Sequence, residues 1–195
     1  MGQKKLLRQS AAVSVLLLAA LFLLPLAGIV PFQPELFGLE EPEEERTPFV
    51  SGDLDARTVL RVLDGDQVTE MDLGAYLVGV VRAEMPASFE EEALKAQAVA
   101  ARTYTLYKLL SGGNHGDAAD ICTDSTCCQA YLDEESARDN WGEDADANEA
   151  KIEEAVSATD GQAARYGGVP ILAVFHSSSA GLTRPAGEVW QSDLP

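Results

Sequence analysis

The chain has 195 residues, with 14 Lys and Arg against 32 Asp and Glu, a formal net charge of −18. That balance excludes a phosphate-tracking nucleic-acid binder, which needs a basic surface to release counterions. Apolar residues make up 46% of the chain, normal for a folded protein, and the length allows one domain of ordinary size.

Residues 1–10 carry Lys4, Lys5 and Arg8 and no acid. Residues 11–30, AAVSVLLLAALFLLPLAGIV, then run without a charge. Roughly 20 apolar residues span a bilayer. The preceding cations place residues 1–10 in the cytoplasm and everything after residue 30 outside it. The expected arrangement is a single-pass cell-membrane protein held by this transmembrane anchor. A cleaved signal peptide is the rival reading, against which stand the length of the run and the lack of an A-x-A site. Residues 31–56 read as an acidic, proline-containing linker: Pro31, Pro34, Pro42 and Pro48 and the group Glu40, Glu41, Glu43, Glu44 and Glu45 cannot bury a core.

Residues 57–195 are expected to form one extracytoplasmic domain of mixed α+β class. Thr58–Leu63 is rich in β-branched and apolar residues and ends at Asp64-Gly65-Asp66, which predicts a hairpin returning near Gln67–Met71. Asp72 is placed to cap a helix. In that helix Leu73, Tyr76, Leu77, Val80 and Val81 form one apolar face, and the next position of the series is Glu84. Pro86 stops the helix just beyond it. Burial and the negative end of the helix dipole both favour a carboxyl that keeps its proton, and such a group can act as an acid. The alternative is a terminal Glu that simply turns to water.

Ser88 and Glu91 match a capping box, and an alanine-rich helix is predicted from there to Gly112-Gly113. Its alanines let neighbours pack closely, which makes it the expected centre of the domain. Lys95, Gln97 and Arg102 are polar positions on it, open to a substrate role or an ordinary surface one. A short helix is predicted near Asp133–Trp141 and another over Asn148–Ser157. Asp139, Glu143, Asp144 and Asp146 read as an exposed acidic surface. Ala163–Tyr166 and Val169–Phe175 suggest a second hairpin, followed directly by His176 and Ser177. The chain stops at Pro195 with no closing element, so a truncated C-terminus is expected.

Cys122, Cys127 and Cys128 lie within seven residues, and His115 is seven residues upstream. Three cysteines are too few for a disulfide scaffold. The spacing is open to two readings: soft ligands around zinc, or a Cys122–Cys128 disulfide.

The stretch VVRAEMPASFEEEALKAQAVAARTYTLYKL at 80–109 closely resembles the signature of the stage II sporulation protein D (SpoIID) family. CTDSTCCQAY at 122–131 and FHSSSAGLTRPAGEVW at 175–190 extend the resemblance in the same order. It implies a peptidoglycan lytic transglycosylase that cuts between N-acetylmuramic acid and N-acetylglucosamine and leaves a 1,6-anhydro end. The catalytic acid of the family is the Glu of EMPASF, here Glu84. The family pattern also puts Gln97, Arg102, His176 and Ser177 along the glycan groove. It favours structural zinc at Cys122, Cys128 and His115. Cys127 stands where relatives have His, which leaves the fourth ligand open. No organic cofactor is expected.

The same resemblance implies a role in endospore engulfment, at the septal or engulfing membrane. Its partners there would be peptidoglycan strands stripped of stem peptides, the sporulation amidase SpoIIP and the membrane protein SpoIIM. Related domains also occur in proteins that stimulate a cell-wall amidase, so a non-catalytic activating module is the alternative. A purely structural zinc module is a third.

Overall fold

The structure, a computed structural model, describes residues 48–176 together with Gly181, Leu182, Arg184 and Glu188. The predicted anchor at 11–30, the linker up to Thr47 and Ser177 lie outside the described residues. Among the described residues no helix is long and apolar enough to cross a membrane.

The fold is a mixed α+β domain. Strand β1 (Val59–Asp64) turns at Gly65-Asp66 into the antiparallel β2 (Gln67–Asp72), with Val59 opposite Asp72 and Asp64 opposite Gln67. Gly65 has φ +57°, a left-handed value that glycine adopts without a Cβ penalty. Leu60 and Val62 point from β1 into the core, alternating with more exposed neighbours. A short third strand, β3 (Ile121–Cys122), lies parallel to β1 on its other side. Asp120 fastens it: the carboxylate accepts from the Arg61 backbone N–H at 2.8 Å and from its guanidinium at 2.7 and 3.2 Å. Two residues of strand give almost no periodic signal, so β3 is absent from the sequence reading.

Helix α1 (Leu73–Glu84) starts where expected, with the Asp72 carboxylate accepting from the Ala75 N–H at 2.9 Å. Its stripe Leu73, Tyr76, Leu77, Val80 and Val81 is buried. It ends at an extended Met85, as the following proline requires. Helix α2 (Glu91–Leu110) carries the buried Ala98 and Ala101 and packs against α1 and α4. The Ser88–Glu91 capping box does not form. The Phe89 N–H closes a turn onto the Pro86 carbonyl at 3.0 Å, so the helix begins after Glu90 and Ser88 lies too early to cap it.

Helix α3 (Glu134–Trp141) is capped by Asp133, which accepts from the Ser136 N–H at 2.8 Å. A 3-10 turn at Gly142–Asp144 leads into α4 (Ala145–Ser157), which starts three residues before the predicted Asn148. Asp139, Glu143, Asp144 and Asp146 are exposed, as expected. The second hairpin is shorter than predicted, with two residues each in β4 (Arg165–Tyr166) and β5 (Val169–Pro170).

Composition assigned residues 48–56 to the linker, yet they belong to the fold. A 3-10 turn at Asp55–Arg57 buries Asp55. Its carboxylate takes the Arg102 guanidinium in three hydrogen bonds of 2.7, 2.9 and 3.1 Å. Arg102 also donates to the carbonyls of Val156 and Gln162, both at 3.2 Å. An acidic residue read as linker thus neutralises a cation in the interior.

Candidate functional site

Glu84 ends α1 at the mouth of a cavity of about 380 Å³. One wall is the consecutive run Ser125–Gln129, another is Tyr104 of α2, and a third is Ala173, Val174 and Phe175. Glu84 is half-buried rather than sealed, because the helix ends there and its last turn opens to the cavity. Its Oε1 accepts from the Ala130 N–H at 3.0 Å. Oε2 has no hydrogen-bond partner among the described residues. The carboxyl is therefore oriented through one oxygen, while among the described residues nothing occupies the other.

The segment that orients it runs along the face of α1. The Leu132 N–H donates to the Gly79 carbonyl at 3.0 Å, and the Gln129 amide donates to Thr105 at 3.1 Å. Tyr131 stacks on Tyr76 with ring centroids 5.8 Å apart and planes 17° apart. Gly79 makes room for this: a Cβ there would overlap the Tyr131 ring.

Beside the same cavity, one donor atom each from His115, Cys122, Cys127 and Cys128 lie within 4.8 Å of one another. The His115 Nε2 is 3.6 Å from the Cys127 sulfur and 3.7 Å from that of Cys128, and these two sulfurs are 3.8 Å apart. Tetrahedral zinc with Zn–S near 2.3 Å and Zn–N near 2.0–2.1 Å separates two sulfurs by about 3.8 Å and sulfur from nitrogen by about 3.6 Å. The donor set suits a Cys3His centre, and the His115, Cys127 and Cys128 atoms have its spacing. All three cysteines are free, so the Cys122–Cys128 disulfide is not formed. Burial pushes the Cys122 thiol up and that of Cys128 to about 12. The Asn114 side-chain amide pulls Cys127 down. Cys127, the position the sequence leaves open, brings a fourth donor atom to the cluster.

The residues expected along the groove are scattered. Arg102 is fully buried and its donors are consumed by Asp55 and backbone carbonyls, so it does not line the cavity. The reason is local: 18 residues beyond Glu84, it points into the packing of α2 against α4 and the Asp55 turn. Gln97 is buried too, at 5% exposure, and is not among the cavity residues. His176 is exposed and directly follows the cavity wall at Ala173–Phe175. Lys95 pairs with Glu91 and, at 3.0 Å, with Glu92 on the surface of α2. Tyr104 and Phe175 were not singled out from sequence; an aromatic on an amphipathic helix looks the same whether it packs or lines a cavity.

The family model described as stage II sporulation protein (SpoIID) matches residues 64–166, more than half of the chain. The stage II sporulation protein D of Bacillus subtilis is 31% identical over 97% of the chain, and that of Bacillus amyloliquefaciens 36% identical over 66%. A Bacillus subtilis protein named amidase enhancer is 37% identical over 61% of the chain. The chain spans 58%, 38% and 14% of the lengths of these three relatives. The matched region holds Glu84, the segment that orients it and all four donors of the cluster. This chain therefore belongs to the SpoIID family of sporulation proteins.

Proposed function

We propose that the protein is a membrane-anchored lytic transglycosylase that cuts peptidoglycan glycan strands during engulfment, with Glu84 as its acid and base. The observation that carries this is the half-buried Glu84, held through Oε1 by the Ala130 N–H, with no partner for Oε2 among the described residues, on the wall of a cavity of about 380 Å³. The chemistry needs one carboxyl in two roles. Protonated, Glu84 donates to the glycosidic oxygen as the C1–O bond breaks toward an oxocarbenium-like state. Deprotonated, it accepts the proton of the C6 hydroxyl while that oxygen bonds to C1. The product is a 1,6-anhydro ring, no water is consumed, and the carboxyl regains its proton. Among the described residues no second carboxylate lines the cavity, and this route requires none. Tyr104 and Phe175 offer apolar faces to the sugar rings, and His176 adds a polar edge at the end of the Phe175 wall.

His115, Cys122, Cys127 and Cys128 would hold zinc. With four protein donors it would be closed to substrate, and its contribution would be to fix the fold of the wall at Ser125–Gln129. The anchor at residues 11–30 would keep the domain at the septal or engulfing membrane. There SpoIIP would strip stem peptides ahead of it, with SpoIIM as its membrane partner.

The relative named amidase enhancer supports a second reading, in which the domain binds and activates an amidase without cutting. Peptide-free glycan strands separate the two. Anhydro-muramyl products from the intact protein, and none from a folded Glu84→Gln variant, establish cleavage. Amidase stimulation without such products establishes the alternative.

A further inference from the structure

Arg82 and Glu149 form an ion pair inside the domain, with side chains 8% and 0% exposed. The Arg82 Nε meets Glu149 Oε2 at 2.9 Å, and Nη2 contacts Oε1. A buried pair of this kind seldom stabilises a fold more than packed apolar residues would, because both charges lose their hydration. Its placement suggests another use. Arg82 precedes Glu84 by two helical positions, so the two side chains leave the last turn of α1 in nearly opposite directions. With its fork fixed on α4, Arg82 turns Nη1 to the Leu132 carbonyl at 3.4 Å. Leu132 is in turn tied to α1 through its N–H on Gly79. The Ala130 and Leu132 N–H groups, two residues apart, both meet α1, on Glu84 and on Gly79. Holding Leu132 against α1 therefore sets where the Ala130 N–H points, and that N–H is what orients Glu84.

We infer that the Arg82–Glu149 pair is a positioning device for Glu84, acting from the far side of α1 through the Leu132–Ala130 segment. This rests on the proposed role of Glu84 in glycan cleavage. Neither Arg82 nor Glu149 lines the cavity, so neither is expected to touch the glycan.

The test uses the full 195-residue chain with Glu149→Gln, which keeps the shape and removes the charge. Amide exchange at Ala130 and Leu132 should speed up about tenfold or more relative to the amides of α2. Cleavage of peptide-free glycan strands should lose about 10–100-fold in kcat, with KM changed less than twofold, since the binding walls are untouched. If the single variant does not fold, the pair Arg82→Met with Glu149→Leu removes both charges and is subject to the same two measurements. Unchanged exchange at Ala130 in a folded variant overturns the inference, and so does unchanged kcat in an enzyme that cuts. Should the unaltered protein cut no glycan, the reading of Glu84 falls, while the exchange measurement still decides whether the pair holds the segment.

Discussion

The cavity has two unlike sides. On one, Glu84 ends a regular helix whose preceding apolar stripe is buried and which packs against α2 and α4. On the other, Ser125–Gln129 contains no strand or helix. That wall is shaped by polar contacts: the Asp124 carboxylate takes the Thr126 N–H at 2.8 Å and its hydroxyl at 2.7 Å, and the Asp124 carbonyl takes the N–H groups of Cys127 and Cys128 at 3.1 and 2.8 Å. Burial of apolar area holds a helix whether or not a ligand is present. A loop held by hydrogen bonds, each worth about 1 kcal/mol net, takes its rigidity from whatever it binds. The helix side should therefore carry the chemistry, and the loop side should be the part that answers to metal.

The sharpest separation comes from Glu84→Gln. Removing a positioned acid–base group costs about 10²–10⁴-fold in rate, so anhydro-product formation should fall to background. Metal content and thermal midpoint should stay as they were, because the side chain sits at the helix end and not in the loop. A folded Gln variant that still cuts would remove Glu84 from the reaction. Next in size is Asp55→Ala. It strands the Arg102 cation in the interior, and breaking a buried pair by removing one partner costs about 3–5 kcal/mol. Urea denaturation measures this. Both sides of the cavity should be lost in a single transition, since Arg102 lies within the helical body on which the loop rests. A change below about 1 kcal/mol, the range of exposed pairs, would mean that the pair is solvated.

The same contrast explains what could be read from the sequence. α1, its Asp72 cap, the Gly65 turn and the position of Glu84 all follow from periods and turn residues within a dozen positions. The donors of the cluster were visible as residue types, but their convergence on one point was not. It depends on β3 docking beside β1, a pairing made across about sixty residues by Arg61 and Asp120. Arg102 is hidden from the sequence in the same way. Family resemblance marked it as important, but only the fold reveals Asp55, 47 residues earlier, as its partner. Composition read Asp55 as linker because an acid beside proline-rich sequence looks solvated until its counter-ion is known.

On the loop side, acid should release the metal. Burial raises the Cys122 and Cys128 thiols, so both carry protons near neutral pH that an incoming ion must displace. Apparent affinity then falls about tenfold per pH unit for each displaced proton, about 100-fold for two. Cys127, pulled down by Asn114, gives up its proton more readily than the other two thiols. Competition against a chromophoric chelator between pH 8 and 6.5 gives the slope. A slope near zero would mean that the thiols do not hold the ion.

The smallest effect lies on the seam between the two sides. Gly79 is in the interior of α1, where Ala in its place would ordinarily stabilise the helix by about 0.5–1 kcal/mol. Here a Cβ meets the Tyr131 ring, and overpacking costs about 1–3 kcal/mol. The two terms have opposite signs and the second is larger, so Gly79→Ala should destabilise by about 1 kcal/mol net. The ring cannot simply move away, since it is stacked on Tyr76 and its neighbours bond to Gly79 and Glu84. The strain should therefore appear in the segment rather than in the helix: faster amide exchange at Ala130 and Leu132, with α1 amides unchanged. A variant that gains stability would show that Tyr131 does not rest on α1, and the loop would then have no fixed path from the cluster to Glu84.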